Sequence, residues 1–421
     1  MKKITLSIVA IASIAGAFST TLSADDGFSL FNNLKANGEV RARYENVNVQ
    51  DSLKNDANAM TVRATIGIAA DVAGVDGLSM KAEATTVQAI GGVKYDNNPS
   101  TTIGNANYET VVDPVQTRFT EGYLQYKKGA TTAKAGRQII NLDNQRFIGS
   151  VDWRQMPQSF DSAIVVNNSI ENLTLIGGYV WGVNTVKDEP TAKTNSVVLH
   201  AAYKVNPMLT VTGYDYMLSS FADTAGLALT GDVPLAGAKI GYRAEYASQG
   251  DASLDTSGIV TTPTTGKADA NYYNLDALAN ISGLLVGAGY EVLSGHTVGD
   301  GKTAFFAPLG TLHAFNGWAD KFLGGTPTGG LCDASATLGY TTPSLGKAMV
   351  VYHDFKTDVA MSGKSDLGSE WDALYTNAIP GVKGLSGLAK AAYFKAGDVN
   401  SDGFNLTKDV NKIWLQLDYK F

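Results

Sequence analysis

The sequence contains few of the residue patterns that enzymes use for chemistry. Its four histidines, His200, His296, His313 and His353, are scattered, with no His-Glu-x-x-His motif and no pair at metal-site spacing. A Gly-x-Ser-x-Gly segment, which would expose a nucleophilic serine, is also absent. Because Cys332 is the only cysteine, the chain can form neither an internal disulfide nor a multi-cysteine metal site. We therefore predict that the protein is not an enzyme and holds no metal or cofactor.

Arginine and glutamate side chains are the residues that could select a charged solute. Arginine stays charged and binds carboxylate or phosphate through two parallel N–H groups, and charged side chains inside a pore set ion selectivity. The candidates for a selective inner wall are Arg41, Arg43, Arg63, Arg118, Arg137, Arg243, Glu39, Glu45, Glu83, Glu121 and Glu245. Two interpretations remain open. The arginines guide anions such as sugar acids, or they pair with these glutamates and merely balance the inner wall.

The segment 141–159 combines charges with large apolar side chains. Its charged and aromatic candidates are Asp143, Arg146, Asp152, Trp153 and Arg154. A long loop with such apolar anchors can fold into a barrel and narrow it, and we favour this interpretation by analogy with other pores. The alternative is an outer lid that packs on its neighbours.

The elements that position these residues are best seen in the last strand, Asn411 to Phe421, which reads NKIWLQLDYKF. Apolar and polar residues alternate strictly along it, which suits a strand with hydrocarbon on one side and water on the other. Leu417, Tyr419 and Phe421 form an aromatic ending that resembles the assembly signal of bacterial outer-membrane barrels. The alternative is an amphipathic strand that closes a soluble sandwich.

The first predicted strands place charges where a soluble sandwich would have its core. In about Ala36 to Val47, one face carries Val40, Ala42 and Tyr44, and the other carries the candidate residues from Glu39 to Glu45. Charges on an inner face are costly in a dry core unless they are paired, but they cost little in a water-filled lumen. The pattern therefore favours a barrel over a sandwich.

The amino-terminal segment has the features of a secretory signal peptide. Lys2 and Lys3 precede an apolar run from Ile4 to Phe18, and Ala24 comes directly before two aspartates. We predict a signal peptide at residues 1–24 and a single barrel domain at residues 25–421. No later stretch reaches the length of a transmembrane helix.

Long and short connections alternate along the chain, as they do in outer-membrane barrels with short turns on the periplasmic side. Long polar connections are expected near 46–59, 91–115, 141–159, 184–195, 249–270, 295–330, 356–367 and 397–410. Only a short break near 219–223 departs from the alternation. The least secure elements are Thr224 to Thr230 and a short strand around Val350 to His353. We predict an all-β fold, a transmembrane antiparallel up-and-down barrel of about 18 strands, with 16 as the alternative.

The composition agrees with this architecture and excludes other classes. The chain has 45 glycines but 11 prolines, and its 19 tyrosines outnumber the other aromatic types, as expected for many short strands with an interfacial girdle. The predicted girdle residues are Trp181, Trp371, Trp414, Tyr126, Tyr203, Tyr290, Tyr393 and Tyr419. A formal net charge of −7 argues against nucleic acid as a partner.

Two segments carry a resemblance to a known family. They are Gly136 to Asp161, GRQIINLDNQRFIGSVDWRQMPQSFD, and Phe305 to Leu323, FFAPLGTLHAFNGWADKFL. Both resemble porin-like outer-membrane proteins of the alginate-export family. The resemblance implies an 18-strand barrel, in agreement with the count from the connections. Ala314 and Ala307-Pro308 depart from the more polar residues expected of relatives in that segment.

We therefore expect a porin in the outer membrane of a Gram-negative bacterium, which passes small hydrophilic solutes passively and has an anion preference for sugar acids or carboxylates. The alternatives are a dedicated exporter of an acidic polysaccharide such as alginate and a structural or adhesive surface barrel. The expected partners are outer-membrane lipid, lipopolysaccharide, the barrel assembly machinery and the solutes themselves. A homotrimer is compatible with the sequence, although the sequence does not reveal a subunit interface.

Overall fold

The computed structural model describes residues 30–97, 105–254, 266–399 and 406–421, and the predicted signal peptide lies outside these residues. Strands account for nearly all of the regular structure, and a single 3₁₀ turn, Leu312–Ala314, is the one helical element of the described residues. Among these residues, no helix is long and apolar enough to cross a membrane.

Nineteen strands follow one another along the chain. They are β1 (Phe31–Val49), β2 (Ala57–Val72), β3 (Leu78–Ala89), β4 (Gln116–Lys128), β5 (Thr131–Gln138), β6 (Ser159–Asn167), β7 (Leu173–Asn184), β8 (Ala192–Asn206), β9 (Leu209–Leu218), β10 (Ala222–Leu235), β11 (Ala238–Gly250), β12 (Lys267–Ile281), β13 (Leu284–Ser294), β14 (Lys302–Thr303), β15 (Gly330–Thr342), β16 (Gly346–Met361), β17 (Lys364–Ala378), β18 (Leu385–Ala396) and β19 (Val410–Lys420).

All of these strands except β14 form one closed antiparallel barrel. Each barrel strand pairs with the next, and β1 pairs with β19 from Glu39↔Lys420 to Val49↔Val410. The two-residue strand β14 lies in a loop and pairs in parallel with the start of β12. The barrel therefore has 18 strands, as the alternating connections predict, and the alternative count of 16 is wrong.

The last strand has the two faces that its sequence predicts. Ile413, Leu415 and Leu417 are 47–53% exposed on the outside, while Trp414 and Gln416 are at most 8% exposed on the inside. The same parity places Arg41, Arg43 and Glu45 of β1 and Arg63 of β2 inside the barrel, where they are buried. Alternation at a period of two thus separates a lipid-facing surface from an inner wall.

One end of the barrel carries short turns and the other carries long connections. Both termini of the barrel lie at the short-turn end, next to turns such as 129–130, 207–208 and 282–283. The expectation fails at 356–367, where β16 and β17 form a long hairpin whose turn is Ser362 and Gly363. The segment from Lys356 to Leu367 is rich in polar and small residues, so it resembles a loop in the sequence, although Thr357 and Leu367 are buried in the structure. For the same reason, the short strand expected around Val350 to His353 is the middle of the 16-residue β16.

The predicted aromatic girdle is outward-facing with one exception. Trp181, Trp371, Tyr126, Tyr203, Tyr290, Tyr393 and Tyr419 are each 40–54% exposed. Trp414 is completely buried inside the barrel, so its assignment to the girdle is wrong. Its inward parity on β19 agrees with the burial, because its neighbours Lys412 and Gln416 also face inward.

Candidate constriction inside the barrel

Two long connections from the long-connection end fold into the barrel. We call residues 139–158 the first inward loop and residues 304–329 the second inward loop. Both contain fully buried apolar side chains, including Ile148 and Met156 in the first loop and Phe305 in the second. The inside of the barrel is therefore a packed region built from loops as well as from the wall.

The first inward loop reaches opposite sides of the wall through its own charged side chains. Asp152 accepts a hydrogen bond from Arg63 Nη1 of β2 at 2.7 Å. Arg146 donates to Glu291 of β13 at 2.8 and 3.1 Å, and Asp143 lies 3.1 Å from His200 Nε2 of β8. These contacts hold the loop across the barrel rather than against one side.

Arg154 of this loop is buried among three carboxylates. It bonds Glu45 of β1 at 3.1 Å and Asp320 of the second inward loop at 3.1 Å, and it lies 3.8 Å from Asp113. Burial by itself would lower the pKa of Arg154, but these three carboxylates raise it above its usual value. Because it has carboxylates around it, Arg154 remains charged and joins the two loops to the wall.

Trp153 lies at the contact between the first loop, the second loop and the wall. Its ring stacks on His313 with centroids 4.5 Å apart, and the Arg43 guanidinium lies 4.2 Å from the ring centroid. Trp414 of β19 approaches edge-on at 5.8 Å. A cation over an aromatic face is stabilised further when the pair is removed from water, as it is for Arg43.

The two inward loops bond directly to each other. Gly149 N donates to Leu309 O at 2.9 Å, and Thr311 N donates to Gln145 O at 2.9 Å. Gln158 Nε2 also donates to Leu309 O, at 3.2 Å. The loops therefore form one body inside the barrel.

The second inward loop is held to β18 and β19 through Asp320. This carboxylate accepts hydrogen bonds from Lys412 Nζ at 2.7 Å and from His313 Nδ1 at 2.5 Å. Burial would raise the pKa of Asp320, but His313, Lys412 and Arg154 lower it well below its usual range. His313 Nε2 accepts from Lys390 Nζ at 2.7 Å, which requires a neutral imidazole with its proton on Nδ1. Burial lowers the pKa of His313 well below its usual value. The positive charges of Lys390 and Arg154 lower it further, whereas Asp320 opposes the shift.

Backbone amides of the second loop cover two buried carboxylates of β17. Ala319 N donates to Glu370 at 2.6 Å, and Trp318 N donates to Asp372 at 3.1 Å. Gly317 lies against the Glu370 carboxylate, where an added Cβ would be 2.5 Å from an oxygen. This close approach, at a φ of +80°, explains the glycine at this position.

A cluster of aromatic rings fills the side of the barrel towards β9 and β12. Phe147 of the first loop lies 5.4 Å from Tyr214, 5.2 Å from Tyr272 and 5.9 Å from Phe305, measured between ring centroids. Pairs at such distances stabilise by about 0.5–1.5 kcal/mol beyond the area they bury. Phe147 thus adds an apolar anchor to the first loop, next to the ion pair of Arg146.

The arginines predicted on β1 and β2 all lie on the inner wall with acidic partners. Arg41 bonds Asp418 at 2.7 Å, Arg63 bonds Glu39 at 2.6 Å, and Arg43 lies 3.8 Å from Asp113. Glu45 pairs with Arg154, as described above. These arginines are thus paired with acidic residues, but Asp418 and Asp113 are not among the glutamates that the sequence interpretation named.

The remaining predicted wall residues follow the same rule with one exception. Arg243 bonds Glu245 at 2.7 Å, and Arg137 bonds Asp161 at 2.7 Å. Glu83 and Glu121 share Lys81. Arg118 donates only to backbone carbonyls among the described residues, those of Pro157 at 2.8 Å and Thr185 at 2.5 Å.

Two cavities remain on either side of the loops. The outer cavity, about 1060 Å³, is lined by residues of the long connections such as Lys187, His296 and Phe306. The inner cavity, about 490 Å³, lies towards the short-turn end next to Asn37, Glu39 and Lys420. Residues 150–158 line both, since Arg154 and Gln158 face the outer cavity and Asp152 and Pro157 face the inner one. The first inward loop therefore forms the partition between them.

Asp320, His313, Lys390 and Lys412 were not among the candidates from the sequence. A signal was present, because Phe305 to Leu323 is rich in large apolar side chains for a connection that would otherwise be solvated. Lys390 and Lys412 occupy inward positions of their strands, but a single lysine at such a position does not reveal which loop will reach it.

Comparisons with known proteins agree on the architecture. A family model described as "Campylobacter major outer membrane protein" matches residues 1–226. Pseudomonas aeruginosa OccK8 (OprE) is similar in structure with a TM-score of 0.70 and 17% identity, covering 94% of this chain and 99% of that one. P. aeruginosa OpdK with vanillate has a TM-score of 0.71 and 13% identity, covering 93% of this chain and 100% of that one. Acinetobacter baumannii OccAB4 has a TM-score of 0.69 and 14% identity, covering 93% of this chain and 98% of that one. No match was found among curated proteins.

The family model covers more than half of the chain, including the strands that carry Arg41 and Arg63 and the whole of the first inward loop. The resemblance to the alginate-export family finds no support in these comparisons, which point instead to another group of porin-like barrels. Family and fold together place the chain in the outer membrane. The chain belongs to the Campylobacter major outer membrane protein family, a family of porins.

Proposed function

We propose that the barrel is a passive channel for small hydrophilic solutes and that the two inward loops form its filter. The observation that carries this proposal is the polar partition between the two cavities, built by the first inward loop and fixed to the wall by Asp152, Arg154 and Arg146. A water-filled barrel of this strand number leaves room for solutes unless loops occupy it. Here the loops leave cavities lined by charged and amide side chains on both sides.

The filter acts by size and by charge. Its size limit comes from the two loops, which bond each other inside the lumen. Its charge comes from the arginine–carboxylate pairs on β1 and β2, which present both signs to a passing solute. A low-dielectric wall strengthens such charges relative to bulk water.

The test is planar-bilayer recording of the purified, refolded mature protein under a salt gradient. We expect stepwise ion conductance from single channels. Replacement of Arg41 and Arg63 by alanine leaves Glu39, Asp152 and Asp418 uncompensated and shifts the reversal potential towards cations. Glu39→Gln shifts it in the opposite direction. Well-folded barrels without conductance would overturn the proposal.

A preference for small carboxylates, including sugar acids, is the second candidate. It is favoured by the structural likeness to OpdK, whose structure was determined with vanillate, and by Arg118, which has no carboxylate of a described residue within ion-pair distance, although Asp188 acts on it from farther away. Arg41 and Arg63 are paired with carboxylates, which argues against a row of unpaired arginines that would guide anions. An anion-selective reversal potential that is lost in Arg118→Gln would support this candidate.

Porin family membership favours a channel over an enzyme, over an exporter of acidic polysaccharide and over an adhesive barrel with a blocked lumen. Recognition of Leu417, Tyr419 and Phe421 by the assembly machinery remains a prediction. So do binding of lipopolysaccharide, cleavage after Ala24 and assembly as a homotrimer.

A further inference from the structure

Neutral amides and compensated carboxylates line the inner cavity together. It is bounded by β1 to β3 on one side and by the first inward loop on the other. Its volume of about 490 Å³ lies within the range of about 300–1,000 Å³ that is usual for small-molecule sites. The side chains that carry the argument are the amides Asn37, Asn141 and Gln145 and the carboxylates Glu39, Glu83 and Asp152.

The amides provide hydrogen-bond donors that the protein does not use. Asn141 Oδ1 accepts from Ser150 N at 2.7 Å, and Gln145 Oε1 accepts from Thr311 Oγ1 at 2.9 Å. Their oxygens are thereby fixed, and their NH₂ groups have no partner among the described residues. The Asn37 side chain is exposed to the cavity, and neither its amide oxygen nor its amide nitrogen makes a hydrogen bond to a described residue.

The carboxylates provide acceptors without a strong net charge. Arg63 bonds Glu39 at 2.6 Å and Asp152 at 2.7 Å, and Lys81 lies 3.0 Å from Glu83. Each carboxylate has about four lone-pair positions, so these partners leave acceptor positions free. The nearby cations cancel most of the attraction that the carboxylates would exert on a free cation.

Gly67 of β2 lies against two of the side chains that line the cavity. A Cβ at Gly67 would lie 2.8 Å from Asn37 Oδ1 and 3.3 Å from Glu83 Oε2. Its backbone is not in the left-handed region, so it is the close approach of these two side chains, and not the turn of the chain, that favours a glycine here. The space in front of Gly67 lies between an amide and a carboxylate of the lining.

We propose that the inner cavity is a binding subsite for neutral polyhydroxylated solutes, that is, sugars and polyols. Each hydroxyl group both donates and accepts, which matches a wall where unused amide donors alternate with carboxylate acceptors. A small anion would meet the carboxylates and a small cation would meet Arg63, so neither is favoured. The inference rests on the proposed channel function and names a solute class for it.

The experiment uses the full-length mature barrel in planar bilayers, with sucrose as the probe. Sucrose added at the short-turn side should interrupt the ion current in a saturable way, and more often than sucrose added at the opposite side, because the partition separates that side from the cavity. Asn37→Leu should weaken the apparent affinity about five- to tenfold, as expected for the loss of one or two hydrogen bonds. Gly67→Ala should weaken it as well, because the added Cβ would displace the Asn37 amide from its position.

The matched control is Asn48→Leu, the same change on β1 towards the opposite mouth, where Asn48 bonds Asp56. It should leave the sucrose effect unchanged. Ion conductance without a saturable sucrose effect would overturn this inference but not the proposed function, whereas the absence of ion conductance would overturn the proposed function. An equal loss in Asn48→Leu, or a block by glycine zwitterion where sucrose has none, would also overturn the inference. Heat-modified gel mobility verifies that each variant is folded.

Discussion

The two inward loops occupy the same lumen but are held there in different ways. The first inward loop carries its own charges, Asp143, Arg146, Asp152 and Arg154, to several sides of the wall. The second is held mainly by Asp320 and by backbone amides that cover Glu370 and Asp372. The first loop should stay in place when one of its several ion pairs is lost. The second loop should not, because its contacts converge on one buried carboxylate. The comparison can be tested by removing anchors one at a time.

The largest effect is expected from Asp320→Asn. This change removes the anion that Lys412, Arg154 and His313 share, and breaking a buried ion pair on one side costs about 3–5 kcal/mol. We expect that loss in urea unfolding of the refolded barrel, together with a larger single-channel conductance as the second loop is released. Asp300→Asn, in the same connection but partly exposed, should leave both unchanged. Equal effects from the two variants would contradict a dominant role for Asp320.

Arg154→Gln should have a smaller effect, because glutamine keeps a donor near Glu45 and Lys412 still compensates Asp320. We expect a loss of about 2–3 kcal/mol, typical for hydrogen bonds that involve charged groups. The reversal potential should move towards cations, since Glu45 and Asp113 lose a counter-charge. A loss as large as that of Asp320→Asn would show that the first loop also depends on a single anchor.

Acidification should release the second loop gradually. The pKa of His313 is lowered while the loop is held in the barrel, so His313 stays neutral there. Once the loop is released, the pKa returns to its usual value and His313 binds a proton more readily. Stability of the held state therefore falls as the pH drops below about 6.5, by at most about 1.4 kcal/mol per pH unit. Asp320, whose pKa is also lowered, adds to this loss below about pH 4. Conductance recorded from pH 8 to pH 5 should rise, and His313→Gln should remove the rise above pH 5.

The smallest effect on stability is expected from Asp152→Asn. The Asp152 side chain is 56% exposed, so its pairs with Arg63 and Arg41 contribute at most about 1 kcal/mol to the free energy of unfolding. The reversal potential should nevertheless move towards anions, because two arginines lose a counter-charge beside the partition. A large loss of stability without a change in selectivity would reverse the assignment of Asp152 to the charge filter.

The barrel could be predicted from the sequence because hydrocarbon outside and water inside impose a period of two. β19 and β1 are the clearest cases, and the connection lengths gave the strand count. The prediction fails at the hairpin of β16 and β17. The residues from Lys356 to Leu367 are mostly polar or small and include a Ser-Gly pair, so in sequence they resemble a loop, although Thr357 and Leu367 are buried in the structure.

The candidate site was only partly predictable. Parity showed which arginines face inward, and the apolar anchors of 141–159 suggested that this loop enters the barrel. Partners could not be predicted, because Arg154, Asp320 and Lys412 are far apart in sequence and meet only once both loops are folded. Trp414 is a different case, because its inward parity on β19 predicts burial and only its assignment to the girdle was wrong.

The β16–β17 hairpin has a practical consequence for labelling the protein. Its turn, Ser362 and Gly363, is exposed, and a Cβ at Gly363 would meet no atom within 4 Å. The turn belongs to the end of the barrel with long connections and takes no part in the contacts of either inward loop. A short epitope or a fluorophore attached there would report on surface display in intact cells while leaving the channel as it is.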